Sequence, residues 1–154
     1  MRALGLIFFI GVLTGLRSLT PPAATAWAAH WGWLKLPRLV SWLSTAPAVA
    51  VFTVLALVEL ITDKLPKTPS RTAPLGLSAR MATSAFIGAS VAPAGGKGAF
   101  LGVVLGTVGA LVGTFAGYQA RIRLLRSLHT PDFVVALVED AVAIAGSLFV
   151  LSRF

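Results

Sequence analysis

The sequence predicts an all-α integral membrane protein: a compact bundle of four to six helices in a single membrane domain, built from two three-helix repeats. Three observations carry this. The 154-residue chain is 56% hydrophobic and 12% charged, with a mean hydropathy of +0.87, too apolar for a soluble domain of its size. Its apolar runs approach the roughly 20 residues a helix needs to cross a bilayer, and their periodicity is helical and not the alternation of a membrane barrel. Finally, Val54-Leu55-Ala56-Leu57-Val58-Glu59 returns as Val134-Val135-Ala136-Leu137-Val138-Glu139, and Phe9-Ile10-Gly11 returns as Phe86-Ile87-Gly88 at nearly the same offset. Chance matching in a chain rich in Ala, Val and Leu is the competing explanation.

Charge and composition narrow the function. There are no cysteines, which removes disulfides, thiolate metal sites and cysteine nucleophiles. Thirteen Lys and Arg against five Asp and Glu give +8. These cations fall between the apolar runs, where they suit anionic lipid headgroups or act as topogenic flanks. No continuous basic face forms, so nucleic acid is not an expected partner.

The first helix is expected over 3–18, with the Gly11-x-x-x-Gly15 spacing of a close helix contact. Arg17-Ser18-Leu19-Thr20-Pro21-Pro22 stops it, because two prolines cannot continue a helix, and Thr20 or its neighbour is placed to cap the next. The short segment 22–36 precedes or contains Trp27, Trp31, Trp33 and Trp42, residues that favour the headgroup region. His30 reads as a polar group at that interface, with no ligand partner at a suitable spacing. The first acidic helix spans 46–64, starts at Pro47, and sets Glu59 and Asp63 four apart on one face. A proline- and cation-bearing connector, 67–75, separates repeat one (1–66) from repeat two (76–154).

The second half begins with 76–92, which carries Arg80 near its start, and turns at Pro93 to Gly98. Then come Gly98, Gly102, Gly106, Gly109, Gly113 and Gly117, one face of a helix over 98–120. Glycine weakens a helix, so a stripe of it points to tight packing, a glycine zipper. A phosphate loop is a poor fit without a preceding strand or a Gly-Lys-Ser/Thr ending. Tyr118 marks an interface, followed by Arg121, Arg123 and Arg126. Thr130-Pro131-Asp132 starts the last helix, 132–151, where Ala136, Ala143 and Gly146 give the Glu139 face small residues that should meet protein.

Three crossings per half turn the second half upside down, the inverted-repeat arrangement of many transporters. One side then receives Arg17, Lys64, Lys67, Arg71, Arg80, Arg121, Arg123 and Arg126, the other Arg2, Lys35, Arg38, Lys97 and Arg153, which places both termini outside the cytoplasm. If the short second and fourth segments are re-entrant, four or five crossings remain.

An ionisable residue at mid-helix costs about 2.5–3.5 kcal/mol to insert, so it usually faces the bundle interior and has a partner. Glu59 and Glu139, with Asp63 and Asp140 beside them, are the candidate coupling site for a proton or cation, the two glutamates meeting near the centre. The plainer reading pairs each with an arginine such as Arg17 or Arg80. Arg17, Ser18 and Thr20 at the broken helix, with Lys64, Arg71, Thr72 and Arg80, are the candidate anion-binding or gating set. No arrangement of nucleophile, base and acid is visible, so no enzyme is expected, and no metal or cofactor.

Gly15-Leu16-Arg17-Ser18-Leu19-Thr20-Pro21-Pro22, Glu59-x-x-x-Asp63-Lys64-x-Pro66-x-x-Pro69-x-Arg71-Thr72 and the glycine-rich second half together resemble an uncharacterised bacterial family of small multi-spanning membrane proteins with a domain-of-unknown-function label. The resemblance covers most of the chain and implies a bacterial inner-membrane location, without lending an activity. The expectation is a small transporter or channel-like protein for an unidentified ion or small solute, proton- or cation-coupled, with an anionic or phosphorylated substrate and a homodimeric assembly. The alternative is a non-transporting scaffold or anionic-lipid-binding protein, in which the same charges are internal ties.

Overall fold

The computed structural model describes residues 2–64, 72–128 and 131–154, and these form helices joined by turns and coil. Six α-helices occur among them: α1 (Arg2–Leu16), α2 (Thr20–His30), α3 (Ala46–Thr62), α4 (Pro74–Val91), α5 (Ala99–Leu128) and α6 (Asp132–Leu151). Short 3-10 turns cover Arg38–Ser44 and Ala92–Gly95.

Three helical stretches are long and apolar enough to cross a membrane: Pro74–Gly95, Ala99–Ser127 and Asp132–Leu151. A fourth results if Arg38–Ser44 and α3, bent by 69°, count as one span. That is the build of a membrane protein, with three or four full-length candidate spans among the described residues where up to six crossings are expected. The 15-residue α1 is apolar but short, and the 11 residues of α2 rise only about 16 Å at 1.5 Å each. The expected 22–36 segment ends early because Gly32 takes φ 77°, a left-handed position that stops a helix. The Trp33 amide then donates back to the Ala28 carbonyl at 2.9 Å.

Two ends can be distinguished. At one, a Cβ placed on Gly95 would sit 2.7 Å from Ala3 Cβ and 3.3 Å from Phe154 Cε1, so the chain's beginning, its end and the α4–α5 turn meet. At the other, ion pairs join the ends of α1 and α3 to the first halves of α4 and α6. Helices α1, α3 and α5 therefore run one way and α2, α4 and α6 return.

Helix α1 lies at the centre, packed along α4, α5 and α6. Its Ile7, Ile10 and Leu13 share a core with Ile87, Val91, Val150 and Leu151. Phe100, Val104, Val108 and Phe115 on α5 and Leu137, Val138 and Phe149 on α6 point outward, which costs little where the solvent is lipid.

The α5 glycines are shared between two neighbours. A Cβ on Gly102 would collide with the backbone of Gly88 on α4, and one on Gly109 or Gly113 with Val12 on α1. Gly11 and Gly88, the last residues of the two Phe-Ile-Gly segments, both seat against Gly106. Gly98 has nothing within 4 Å, so it lies outside this contact; Gly117 is buried further along α5. Such closeness lets side chains bond to the neighbouring backbone: Ser84 Oγ donates to the Gly106 carbonyl at 2.6 Å and Thr114 Oγ1 to the Gly15 carbonyl at 3.2 Å.

On α6, Ala136 and Ala143 are buried, and a Cβ on Gly146 would lie 3.0 Å from Leu13, so the small-residue face does meet protein. Trp31, Trp33 and Trp42 are half-exposed, whereas Trp27 donates its indole N–H to Thr53 Oγ1 at 3.0 Å. His30 Nδ1 lies 2.8 Å from the Ser44 carbonyl and ties α2 to the Arg38–Ser44 turn.

Candidate functional site: a buried charge cluster at a broken helix

Helix α1 ends at Leu16, α2 begins at Thr20, and the break between them is the organising feature of the site. A helix start leaves its first amide N–H groups without intrahelical partners and concentrates positive dipole charge there. The expected cap is Thr20 or its neighbour, and the capping position falls to the neighbour, Leu19, without a side-chain cap bond of its own. The Thr20 hydroxyl oxygen is buried without a hydrogen-bond partner.

The cap comes from α3. Glu59 Oε1 accepts the Ser18 amide at 2.7 Å and the Ser18 hydroxyl at 2.5 Å, and Oε2 accepts the Leu19 amide at 2.8 Å. These donors belong to the set expected to receive an anion, and the anion they meet is a carboxylate of the chain itself, 40 positions downstream of Leu19.

Arg17, in the break itself, has a fully buried side chain. Its Nε donates to Asp140 Oδ1 at 2.7 Å, Nη1 pairs with Asp63 Oδ2, and Nη2 lies 2.7 Å from Asp140 Oδ1 and 4.0 Å from Glu139 Oε2. Asp63 sits one turn past Glu59, so α3 sends one carboxylate to the amides and the next to the guanidinium. Lys64 Nζ donates to Asp140 Oδ2 at 2.5 Å and to the Leu60 carbonyl at 2.8 Å. From α4, Arg80 Nη2 lies 3.9 Å from Asp63 while Nη1 donates to the Gly76 carbonyl at 3.2 Å. Arg121 on α5 spans Asp132 at 2.6 Å and Glu139 at 3.4 Å.

All five acids of the chain therefore stand in this one cluster, beside four of its cations. Glu59 and Glu139, expected to meet near the centre, are held by different groups: Glu59 by the Ser18 and Leu19 donors, Glu139 by Arg121. The Arg17 guanidinium gathers Asp63 and Asp140 closely, with Glu139 at 4.0 Å. The repeated segments end at the glutamates and so drew attention one turn and one residue short. Of the other candidates, Arg71 lies outside the described residues, as does the Thr130 proposed to cap α6, and Thr72 stands two positions before α4.

Two cavities flank the cluster, and both have almost wholly apolar walls. One, of about 260 Å³, lies between α2, α3 and α6. The other, of about 180 Å³, is lined by Leu16, Gly117, Leu124 and Val135 and touches Arg121 and Glu139 at its edge. Among the described residues no group of three or more His, Cys, Asp or Glu is placed to hold a metal ion.

Helices long and apolar enough to cross a bilayer, close glycine contacts and acids gathered with four cations at one end define a small helical membrane protein with an internally paired charge cluster. The chain belongs to the family described as DUF4126, a domain of unknown function, which it matches over residues 4–152. No curated protein and no solved structure matches it.

Proposed function

We propose that the protein is a non-transporting membrane scaffold that binds anionic lipid, its buried charges serving as internal ties. The observation that carries this reading is the capping of α2 by Glu59: the residue best suited to couple to a proton instead holds a broken helix together through three hydrogen bonds. Arg17, Asp63, Lys64 and Asp140 likewise meet one another across α1, α3 and α6. A buried ion network of this kind fixes which helices lie side by side.

A transporter is the second reading, and one specific feature favours it. A discontinuous helix whose half-helix N-terminus faces a carboxylate is the device by which many transporters hold ions or substrates. In that reading protonation of Glu59 frees the Ser18 and Leu19 amides for an anionic or phosphorylated substrate, and Asp63 and Asp140 part from Arg17. Either reading takes 1–66 and 76–154 as inverted repeats and the α5 glycines as a zipper, supported by the seating of both Phe-Ile-Gly segments on α5. Both place the chain in a bacterial inner membrane.

The deciding experiment reconstitutes the protein in vesicles containing a pH-sensitive dye and imposes a pH step, with Glu59→Gln as comparison. The scaffold reading expects a dye response equal to that of empty vesicles. A flux present in the parent and lost in Glu59→Gln would replace it with the transporter.

A further inference from the structure

We propose that the cleft between α2, α3 and α6 holds one acyl chain of an anionic phospholipid, whose phosphate rests on Lys35 and Arg38. This rests on the lipid-binding part of the function proposed above and gives it a place. Lys64 with Asp140, and Arg17 between Asp63 and Asp140, tie α3 to α6 at the charged end. Away from those ties the two helices make little backbone contact, and α3 leans on α2 and the Arg38–Ser44 turn. The gap is floored by Ala23, Ala24 and Ala56 and walled by Trp27, Leu57 and Ile144.

The walls select the occupant. Of the two hydroxyls that line the cleft, Thr53 Oγ1 receives the Trp27 N–H and donates to the Val49 carbonyl, and the Thr20 oxygen is buried. Water gains nothing in such a space, because it needs two to four polar partners. A hydrocarbon chain fits without loss, and the helices that frame the gap present exposed apolar side chains to lipid on either side, Leu57 and Val58 on α3 and Ile144 on α6.

Charge selects the headgroup. Arg2, Lys97 and Arg153 adjoin the residues that meet at the terminal end, and Lys35 and Arg38 follow Leu34, which shares a core cluster with Ile7, Val91 and Ala92 toward that end; every acid of the chain stands in the cluster at the other. Trp31 lines the cleft and is half-exposed, as is Trp33; Lys35 and Arg38, both exposed, follow in the same segment. Tryptophans at headgroup depth beside uncompensated cations are the surroundings a lipid phosphate requires.

The test uses the full chain with Trp33→Phe and Trp42→Phe, which leaves Trp27 and Trp31 as reporters inside the cleft. It is reconstituted in phosphatidylcholine vesicles containing a fixed fraction of either phosphatidylglycerol or phosphatidylcholine with brominated acyl chains, which quench tryptophan on contact. Brominated phosphatidylglycerol is expected to quench at least twofold more than the brominated phosphatidylcholine. Lys35→Ala with Arg38→Ala, two exposed changes that leave the core intact, should erase that difference, and Ala56→Leu should lower quenching by both lipids. Equal quenching by the two lipids, a preference that survives loss of both cations, or full quenching in a folded Ala56→Leu would each overturn the proposal. None of these results bears on flux, so the cleft and the scaffold reading fail separately.

Discussion

Glu59→Gln tests the capping assignment with the smallest change of shape. The carboxylate accepts from three donors, two of them backbone amides at the start of α2. Glutamine keeps one oxygen but presents an NH₂ where the other stood, so at least one donor faces another donor. Leaving a buried N–H unsatisfied costs about 1–3 kcal/mol. Loss of the negative charge at a helix N-terminus adds about 0.3–1 kcal/mol. The expected destabilisation is therefore about 1–4 kcal/mol, read from reversible unfolding in mixed micelles with helicity followed by circular dichroism. Amide exchange localises the effect: Ser18 and Leu19 should lose protection while the α5 amides keep theirs. Ser18→Ala alone should cost about 1 kcal/mol, and less in the Glu59→Gln background because its acceptor is already altered. Stability within 0.5 kcal/mol of the parent, with unchanged protection at both amides, would refute the reasoning.

Removing the Arg17 guanidinium with Arg17→Met takes from Asp63 and Asp140 their shared buried partner, leaving, among the described residues, Asp63 only Arg80 at 3.9 Å and Asp140 only Lys64, and breaking such a buried pair costs up to about 3–5 kcal/mol. Adding Asp63→Asn and Asp140→Asn to that variant should restore most of the loss, as judged by the same unfolding curves. Gly113→Leu drives a side chain into Val12 and should shift the purified protein from a single size-exclusion peak to aggregate, whereas Gly98→Leu, with open space around it, should elute as the parent. Lys64→Met leaves Asp140 with Arg17 alone and should destabilise by less than Arg17→Met, because Lys64 keeps partial contact with water.

Helix content, the acidic helices and the crowded glycine face were legible because each depends on local pattern: apolar periodicity, a carboxylate inside an apolar run, Gly at spacings of three and four. The DUF4126 membership agrees with the expected uncharacterised family. Partner choice was not legible. Nothing near Ser18 or Leu19 in the sequence says that Glu59 supplies their acceptor, and nothing near Arg17 points to Asp140, which is 123 positions away. The length of α2 was overestimated because Trp31 and Trp33 extend the apolar run past Gly32, whose left-handed backbone ends the helix. Counting eight cations against five also treated Arg17 and Arg80 as loop charges, whereas both are buried beside acids, so the count no longer distinguishes the two ends.

The central claim is that charges far apart in the chain hold one another, and a double-mutant cycle between Arg17→Met and Asp140→Asn measures it directly. The account expects the combined loss to fall short of the sum of the single losses by at least about 2 kcal/mol, within the range that touching residues show. Losses that add to within about 0.5 kcal/mol, the behaviour of independent sites, would contradict it.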